Sequence, residues 1–350
     1  MKLCSIKFCL LLVGIVISDL GCAPHEIVAA TNVASVLAPK LSKAKANIDL
    51  QPAIDASIKA ARSQIPVDIP NMLRGGDYVG ADQKLRTLQA HYEADKLAEA
   101  DLIAALRVIT DTPDEDLEPL YAEWVRRAPE SFSSYLAAGV YRNSRAFKAR
   151  GSALADKTST GQFRAMQAEF STATRYLERS RQLNPKLVAS YAYSMDAAMA
   201  VCNRAELDRL KSVAFKIDPY NWLVRDAYFA AMTPRWCGSI DAMRKFLDET
   251  LPYIAINPNL RPLKGRIAFE QGEELTIMAD VPKYEEALPY YTEALAYGDY
   301  YIYRQGRAIT LIQLGRYDEA IVDLEAAIRE RPSARHLHWL LVFARSKQTK

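Results

Sequence analysis

Residues 301–332 read YIYRQGRAITLIQLGRYDEAIVDLEAAIRERP, and this stretch decides the fold. Apolar residues recur at helical spacing on both sides of Gly315 and Tyr317, as they do on one face of an amphipathic α-helix. The stretch therefore predicts two helices joined by a tight turn, with Pro332 ending the second helix. The positions that would pack between the two helices are small or apolar: Ala308, Ala320, Leu324 and Ala327.

The order of small, aromatic and proline positions resembles one tetratricopeptide (TPR) repeat. Ala308 takes the small position of the first helix, Gly315 lies in the turn, and Pro332 closes the unit. Arg304 and Arg307 depart from the pattern, because the family usually has apolar residues there. A repeat of this kind cannot bury its apolar face alone, so the resemblance implies neighbouring repeats.

The same offsets recur along the chain. The interval from Pro185 to Pro219 is one period of the family, and Pro258 follows after a slightly longer interval. Three positions recur in the next unit: Tyr284, Ala287 and Ala294 match Tyr317, Ala320 and Ala327. We therefore expect an all-α fold, an α-solenoid of about six TPR-like helix pairs over residues 70–347. An irregular helical bundle is the alternative.

The residues after Pro332 predict a C-terminal capping helix. Ser333 can cap its start. One face of the predicted helix is apolar: Leu337, Leu340, Leu341 and Ala344. Terminal repeats need such a helix to close the core.

Composition and motifs narrow the function classes. The 350 residues carry a formal net charge of +3, which gives no electrostatic case for a nucleic-acid partner. No HExxH, CxxC, Walker or dinucleotide-binding glycine motif occurs. His336 and His338 are two residues apart on a predicted helix, so they point to different faces and cannot easily chelate one metal ion. The sequence predicts no catalytic residues, no metal site and no cofactor.

The N-terminus has the features of an export signal. Lys2 and Lys7 precede about ten apolar residues, well short of the roughly 20 that a membrane-spanning helix needs. The apolar run ends at Leu20-Gly21-Cys22, which resembles the lipobox of bacterial lipoproteins. The resemblance implies that Cys22 is lipidated after cleavage and anchors the protein to a membrane. The alternative is an ordinary signal peptide cut near residue 29.

The residue that follows Cys22 indicates to which membrane the protein is exported. Ala23, rather than Asp, follows Cys22, which in proteobacterial lipoproteins resembles export to the outer membrane. We therefore expect a protein of the bacterial cell envelope that faces the periplasm. Residues 1–21 are then the signal peptide. Residues 22–70 are expected to be a tether, largely irregular or with short helices, because prolines interrupt it.

Two stretches in the centre of the chain carry a second resemblance. Residues 146–155 read AFKARGSALA, and residues 233–239 read TPRWCGS. They are similar to domain-of-unknown-function family 4034, a bacterial family that joins TPR-like helices through an Arg-Gly turn and a Pro-basic-Trp-Gly turn. Cys237 departs from the expected glycine. The resemblance implies no biochemical activity. It divides the repeats into a family-like region at 71–260 and C-terminal repeats with the capping helix at 261–350.

Tyrosines and arginines are concentrated on the predicted first helices, which line the concave groove in the TPR family. Both residue types are enriched in interface hot spots. The sequence therefore predicts that a protein or peptide partner contacts Tyr191, Arg225, Tyr303, Arg304 and Arg307. Two alternatives are open. The tyrosines could simply pack between helices, and the arginines at 304 and 307 could pair internally with Glu293 or Asp299.

Two cysteines lie beyond the predicted signal and lipobox, Cys202 and Cys237. Thiols tend to pair in an oxidising compartment. Cys202 follows Pro185 at nearly the same interval as Cys237 follows Pro219, so both fall near turns on the same edge of the solenoid. We predict a disulfide between them. The alternative is that Cys202 is a buried free thiol.

Two functions from different classes fit these features. The first is a non-catalytic, lipid-anchored envelope scaffold that binds a protein or peptide in its concave groove. The second is a periplasmic immunity protein that neutralises an antibacterial secretion-system toxin such as a phospholipase. Family resemblance implies the second, since helical-repeat lipoproteins of this kind can be encoded near such effectors.

Overall fold

A computed structural model describes residues 50–151 and 155–348 of the chain. These residues form sixteen α-helices, joined by loops and 3₁₀ turns, and contain no β-strand. The predicted all-α solenoid is confirmed. In chain order the helices are α1 (Gln51–Arg62), α2 (Ile69–Arg74), α3 (Tyr78–Ala94), α4 (Glu99–Thr110), α5 (Glu118–Arg127), α6 (Phe132–Arg150), α7 (Thr160–Leu183), α8 (Val188–Ala200), α9 (Arg204–Ile217), α10 (Trp222–Ala231), α11 (Ile240–Thr250), α12 (Arg266–Thr276), α13 (Tyr284–Ala296), α14 (Tyr301–Gln313), α15 (Tyr317–Glu330) and α16 (Arg335–Gln348).

Local sequence determines where several helices begin. Asn203, Asn221 and Ser239 each precede a helix, and their side chains accept a hydrogen bond from the backbone N–H three residues later. These caps satisfy donors that a helix start leaves unpaired. The helices that they start are α9, α10 and α11, which belong to two consecutive repeats.

Two glycines are required by the backbone. Gly315, in the predicted turn between α14 and α15, has a φ of +77°, a left-handed conformation that glycine adopts without strain. Gly139 lies where α6 meets α7, and an added Cβ would lie 2.7 Å from the Leu177 side chain. The close approach of these two helices therefore depends on the absence of a side chain at residue 139.

The solenoid has two edges. From α5 to α16, consecutive helices pack side by side and reverse direction at each connection, so the connections alternate between the edges. The turn edge contains the connections within helix pairs, such as α8–α9 and α14–α15. The loop edge contains the connections between pairs, at residues 128–131, 184–187, 218–221, 251–265, 297–300 and 331–334.

Helix α1 packs against α16 and covers the C-terminal cap. Ile54 and Ile58 are buried, and Ser57 Oγ lies 2.8 Å from His338 Nδ1. Residues 51–70, which the predicted tether at 22–70 includes, form short helices as expected, but they belong to the folded body. Residues 22–49 lie outside the described residues.

One hydrophobic core runs through the described residues from Ile69 to Ala344. It includes Leu260 and Leu263, so the boundary predicted at residue 260 does not separate two cores. Helix length does change along the chain. Helices α6 and α7 have 19 and 24 residues, whereas α14 and α15 have 13 and 14.

Candidate functional site

Helices α3 and α4 do not stack as a further repeat. Residues 78–111, which we call the brace, run along the loop edge and contact successive inter-repeat loops. Three hydrogen bonds join the first half of the brace to these loops: Ser131 Oγ to Asp82 Oδ1 at 2.5 Å, Asn184 Nδ2 to Glu93 Oε1 at 2.9 Å, and Tyr92 OH to Asp218 Oδ2 at 2.6 Å. Each bond ties a different loop.

The centre of the brace is the buried carboxylate of Glu99. It accepts hydrogen bonds from Asn221 Nδ2 at 2.8 Å, from the Trp222 backbone N–H at 2.9 Å and from Asn257 Nδ2 at 2.8 Å. Burial raises the pKa of Glu99 to about 7, and these hydrogen bonds offset only part of that effect. One carboxylate thus joins two consecutive inter-repeat loops.

The end of the brace binds the last loop. Asp111 accepts hydrogen bonds from the Arg331 guanidinium and, at 2.5 Å, from Ser333 Oγ, and all three residues are buried. Arg107 Nη1 lies 2.8 Å from Glu330 Oε1. Ser333 therefore does not cap α16, which begins two residues later, and that prediction is wrong.

The brace also occupies the concave face. A small cavity of about 50 Å³ lies between first helices α8 and α10 and the brace residues Arg107 and Thr110. The Arg107 guanidinium lies 5.1 Å from the Trp222 ring centroid and 5.2 Å from that of Tyr301. A cavity of that size holds about one or two water molecules and no peptide. Residues of the chain's own α4 therefore occupy this part of the predicted groove.

Two of the predicted partner-binding residues are fully buried. The Arg225 guanidinium is stacked between the rings of Phe215 and Tyr253, at 4.5 and 4.3 Å from their centroids. Tyr303 donates a hydrogen bond to the Pro262 carbonyl oxygen at 2.8 Å. Neither side chain is accessible to a partner, which corrects the prediction. Both hold neighbouring elements together.

Arg304 and Arg307 pair inside their own repeat. They lie 2.8 and 2.7 Å from the carboxylate oxygens of Asp323, a side chain that is 1% exposed. Arg304 also pairs with Asp299 at 2.8 Å, so the alternative of internal pairing is observed for that residue. Sequence analysis missed Asp323. The available signal was an acidic residue directly before the core position Leu324. Both arginines keep about a quarter of their side chains exposed, at 23% and 24%, and the prediction that a partner contacts them stays a prediction.

Tyr191 is partly buried on α8. Its ring lies under the Arg181 guanidinium, 4.9 Å from ring centroid to guanidinium carbon. Arg181 is itself held by a hydrogen bond to Ser194 Oγ at 2.7 Å. Tyr191 therefore packs between α7 and α8, which matches the alternative left open for the tyrosines.

Cys202 and Cys237 form a disulfide on the turn edge, with Cα atoms 5.8 Å apart. Cys202 follows α8, and Cys237 follows the 3₁₀ turn Pro234–Trp236. Both cysteines lie in the left-handed region, with φ of +55° and +63°. That region favours glycine, the residue expected at 237. The bond joins two consecutive repeats at their turns.

Two surface clefts flank the exposed side of α4. One, of about 620 Å³, lies between α4 and the loops at 258–262 and 296–300. The other, of about 530 Å³, lies between α4 and residues 61–67 and 328–333. Both clefts include Ala104, Arg107 and Glu330, and we call them together the α4 cleft. Its apolar walls include Ile103, Trp222, Pro258, Tyr297, Val67 and Ile328.

The described residues contain neither a metal-binding cluster nor a membrane-spanning helix. No group of three or more His, Cys, Asp or Glu side chains in residues 50–151 and 155–348 could hold a metal ion. His336 Nε2 lies 2.9 Å from Gln305 Oε1, and His338 Nε2 lies 2.9 Å from the Pro332 carbonyl oxygen. Among the helices described, none combines the length and apolar character needed to cross a membrane. The predicted signal peptide and Cys22 lie outside the described residues.

No known protein-family model matches this chain, and no curated protein is significantly similar to it. Function is therefore inferred from the geometry of the site.

Proposed function

We propose that this protein is a non-catalytic binding scaffold of the bacterial cell envelope, and that its α4 cleft binds an extended segment of a partner protein. The chemical make-up of the cleft supports this most strongly. Ala100 and Ala104 are exposed on α4 and leave room for a polypeptide, and aromatic residues and arginines stand beside them. Trp, Tyr and Arg are the residues most enriched in interface hot spots.

One exposed arginine of the cleft suits an acidic side chain in the partner segment. Arg261 lines the cleft, is exposed, and makes no ion pair with the residues that the structure describes. Arg107, by contrast, is already neutralised by Glu330. A partner carboxylate beside an apolar side chain would therefore meet Arg261 next to Pro258 and Tyr297. The pairing would be partly exposed, so it would contribute to orientation more than to affinity.

An enzyme is a poorer fit to the same residues. Glu99 borders the α4 cleft, and its pKa of about 7 lies in the range of a general base. Both of its oxygens, however, are engaged by the donors of two loops. A base held in this way is not free to take a proton from a substrate, so we assign Glu99 a structural role.

Crosslinking tests the α4 cleft. A photoreactive p-benzoylphenylalanine in place of Ala104 is expected to form an adduct with a partner polypeptide in intact cells. The same replacement at Ala205, which is exposed on α9 near the turn edge, is the matched control and is expected to form none. Adding Arg261→Glu should reduce the yield at residue 104. Equal adducts at both positions, or none at residue 104, would contradict the proposal. An adduct with a toxin would favour the immunity function over the scaffold function.

The lipid anchor is a separate part of the proposal. Its support is the lipobox-like sequence that ends at Cys22. Metabolic labelling with a fatty-acid probe is expected to mark the wild-type protein and not Cys22→Ala. Equal labelling of the two proteins would contradict the anchor without affecting the α4 cleft.

A further inference from the structure

The disulfide between Cys202 and Cys237 lies at the surface of the turn edge. Both cysteines are exposed, as are the neighbouring residues 201 and 203–205. Cysteine is otherwise among the residues most often buried in folded proteins. Thiol exchange needs a thiolate to reach one sulfur of the bond, and exposed disulfides are the ones that exchange readily. The position of this bond therefore favours exchange in the folded protein.

The turn that carries Cys237 is held in place by contacts other than the disulfide. Arg235 Nη2 lies 2.8 Å from Glu270 Oε2, and the two side chains are 9% and 3% exposed. The ring centroids of Trp236 and Phe147 lie 6.4 Å apart. Breaking a buried ion pair strongly destabilises a fold. We therefore expect the turn to keep its position, and the protein to stay folded, when the disulfide opens.

Cys202 lies at the start of a helix. It immediately precedes Asn203, whose side chain caps α9, and Arg204 is the first residue of that helix. The positive end of the helix dipole stabilises a thiolate at such a position. The Arg204 guanidinium adds to this only in part, because it pairs with Asp208 at 3.3 Å. Cys202 is therefore well placed to leave the disulfide as a thiolate.

Cys237 has less around it to stabilise a thiolate. It lies two residues before Ser239, the cap of α11, so it is one residue further from its helix than Cys202 is from α9. The arginine nearest to it in sequence is Arg235, whose guanidinium is bound by two buried carboxylates. A disulfide exchanges faster when the departing sulfur is the more stable thiolate. This difference favours Cys202 as the departing residue.

We propose that this disulfide is a thiol-exchange site of the folded protein, at which an attacking thiolate bonds to Cys237 Sγ and Cys202 leaves. The bond between the two Sγ atoms breaks as the new one forms, and the Cys202 thiolate takes a proton from water. When the reactant is a dithiol, its second thiolate then attacks its own sulfur in the mixed disulfide and releases Cys237. The dithiol is thereby oxidised to a disulfide and gives two electrons to the protein, which gains two thiols.

Reduction kinetics test whether exchange needs unfolding. The probe is dithiothreitol, and the reduced fraction is measured by alkylation and mass spectrometry. The rate is expected to rise in proportion to the dithiothreitol concentration and to stay nearly constant at low urea concentrations, with the helical circular dichroism retained. A rate that depends on global unfolding would instead rise about tenfold or more with each molar of urea. That result, or a rate that saturates with dithiothreitol, would overturn exchange in the folded protein.

The site of attack is tested with reduced glutathione, a monothiol that forms mixed disulfides. After a short reaction and an acid quench, the adduct at each cysteine is quantified by peptide mapping. The folded protein is expected to carry at least about twofold more adduct at Cys237 than at Cys202. The same protein unfolded in urea is the control and should show no such preference, because the start of α9 is then absent.

Equal amounts of adduct in the folded protein, or an excess at Cys202, would overturn the assignment of the departing sulfur. Neither test depends on the α4 cleft.

Discussion

The two edges of the solenoid are held in different ways. On the turn edge the connections are short, and one disulfide joins residues that are 35 apart in sequence. On the loop edge the brace reaches across the whole array. Its contacts join residues far apart in sequence: Tyr92 and Asp218 by 126, Glu99 and Asn257 by 158, and Asp111 and Ser333 by 222.

This difference shows what fixes the repeats relative to one another. The turn edge is tied between neighbouring repeats, by the disulfide and by the buried ion pairs of Arg235 with Glu270 and Glu273. The loop edge is tied repeatedly, by buried polar side chains that satisfy donors and acceptors of the loops themselves. Removing a brace residue leaves a buried partner unpaired, which costs more than the contact contributes. We therefore expect substitutions on the loop edge to destabilise the protein more than substitutions on the turn edge.

Breaking the last contact of the loop edge should have the largest effect. Asp111→Ala leaves the buried Arg331 without its carboxylate, and the expected loss in free energy of unfolding is about 3–5 kcal/mol. Urea denaturation measures it. Asp241→Ala is the control, because the Asp241 side chain is 81% exposed and should change stability by less than about 0.5 kcal/mol. Similar losses in the two variants would show that the brace is not anchored at residue 111.

Breaking the turn edge should cost somewhat less. The double substitution Cys202→Ser and Cys237→Ser opens the loop that the disulfide closes across a sequence separation of 35. The expected loss is about 3–4 kcal/mol in the chain-entropy model. Reduction of the wild type should lower the urea midpoint to that of the variant. Two alkylatable thiols in unreduced, unfolded protein would contradict the bond.

The pH dependence of stability sharpens the comparison, because a titrating carboxyl lies at the centre of the loop edge. The pKa of Glu99 rises from an ordinary 4.5 to about 7 on folding. Between these pH values the folded protein holds a proton that the unfolded chain releases, so the free energy of unfolding falls as pH rises. This contribution is fully present below the unfolded pKa and is lost as pH rises through the folded pKa.

Glu99→Gln isolates this contribution. The free energy of unfolding of the wild type, minus that of the variant, is expected to fall by about 1–3 kcal/mol between about pH 4 and about pH 8. The pKa of Glu273 is also raised to about 7 by burial, but that residue is present in both proteins and cancels in the difference. Glu286→Gln, at a side chain that is 62% exposed, is the matched control. Parallel profiles for wild type and Glu99→Gln would contradict the assignment.

The smallest expected loss of stability comes from an ion pair within one repeat. Arg307→Met should lower the free energy of unfolding by about 1 kcal/mol, because Asp323 keeps its ion pair with Arg304. Removing both arginines should cost more than the sum of the single losses, since Asp323 is then buried and unpaired. Chemical denaturation of the two single variants and the double variant measures the coupling. If the two single losses simply added up in the double variant, Asp323 would not be shared between the two arginines.

The comparison also explains what could be predicted from the sequence. The period of the repeats fixes where turns fall, so the helix pairs and the positions of Cys202 and Cys237 follow from counting residues. The brace has no period. Its partners lie on loops from 49 to 222 residues away in sequence, and only the folded structure brings Glu99 to Asn221 and Asn257. The position of α4 on the concave face could not be predicted for the same reason, because nothing in the sequence of α4 shows it.

Arg225 and Tyr303 show a second limit. Their residue types are those of binding hot spots, but the same types also hold cores together by stacking and hydrogen bonding. Burial distinguishes the two roles, and burial at these positions depends on the aromatic residues and loops around them. Composition alone cannot separate a tyrosine that binds a partner from one that packs inside.

Amide hydrogen exchange of α4 under native conditions tests the central claim most directly. If the brace is an integral part of the loop edge, the amides of residues 102–106 open only with global unfolding, and their opening free energy equals that of α10. If α4 instead rests on the surface, its amides open locally, with a free energy well below that of α10. The first result is the one predicted here, and the second would contradict it.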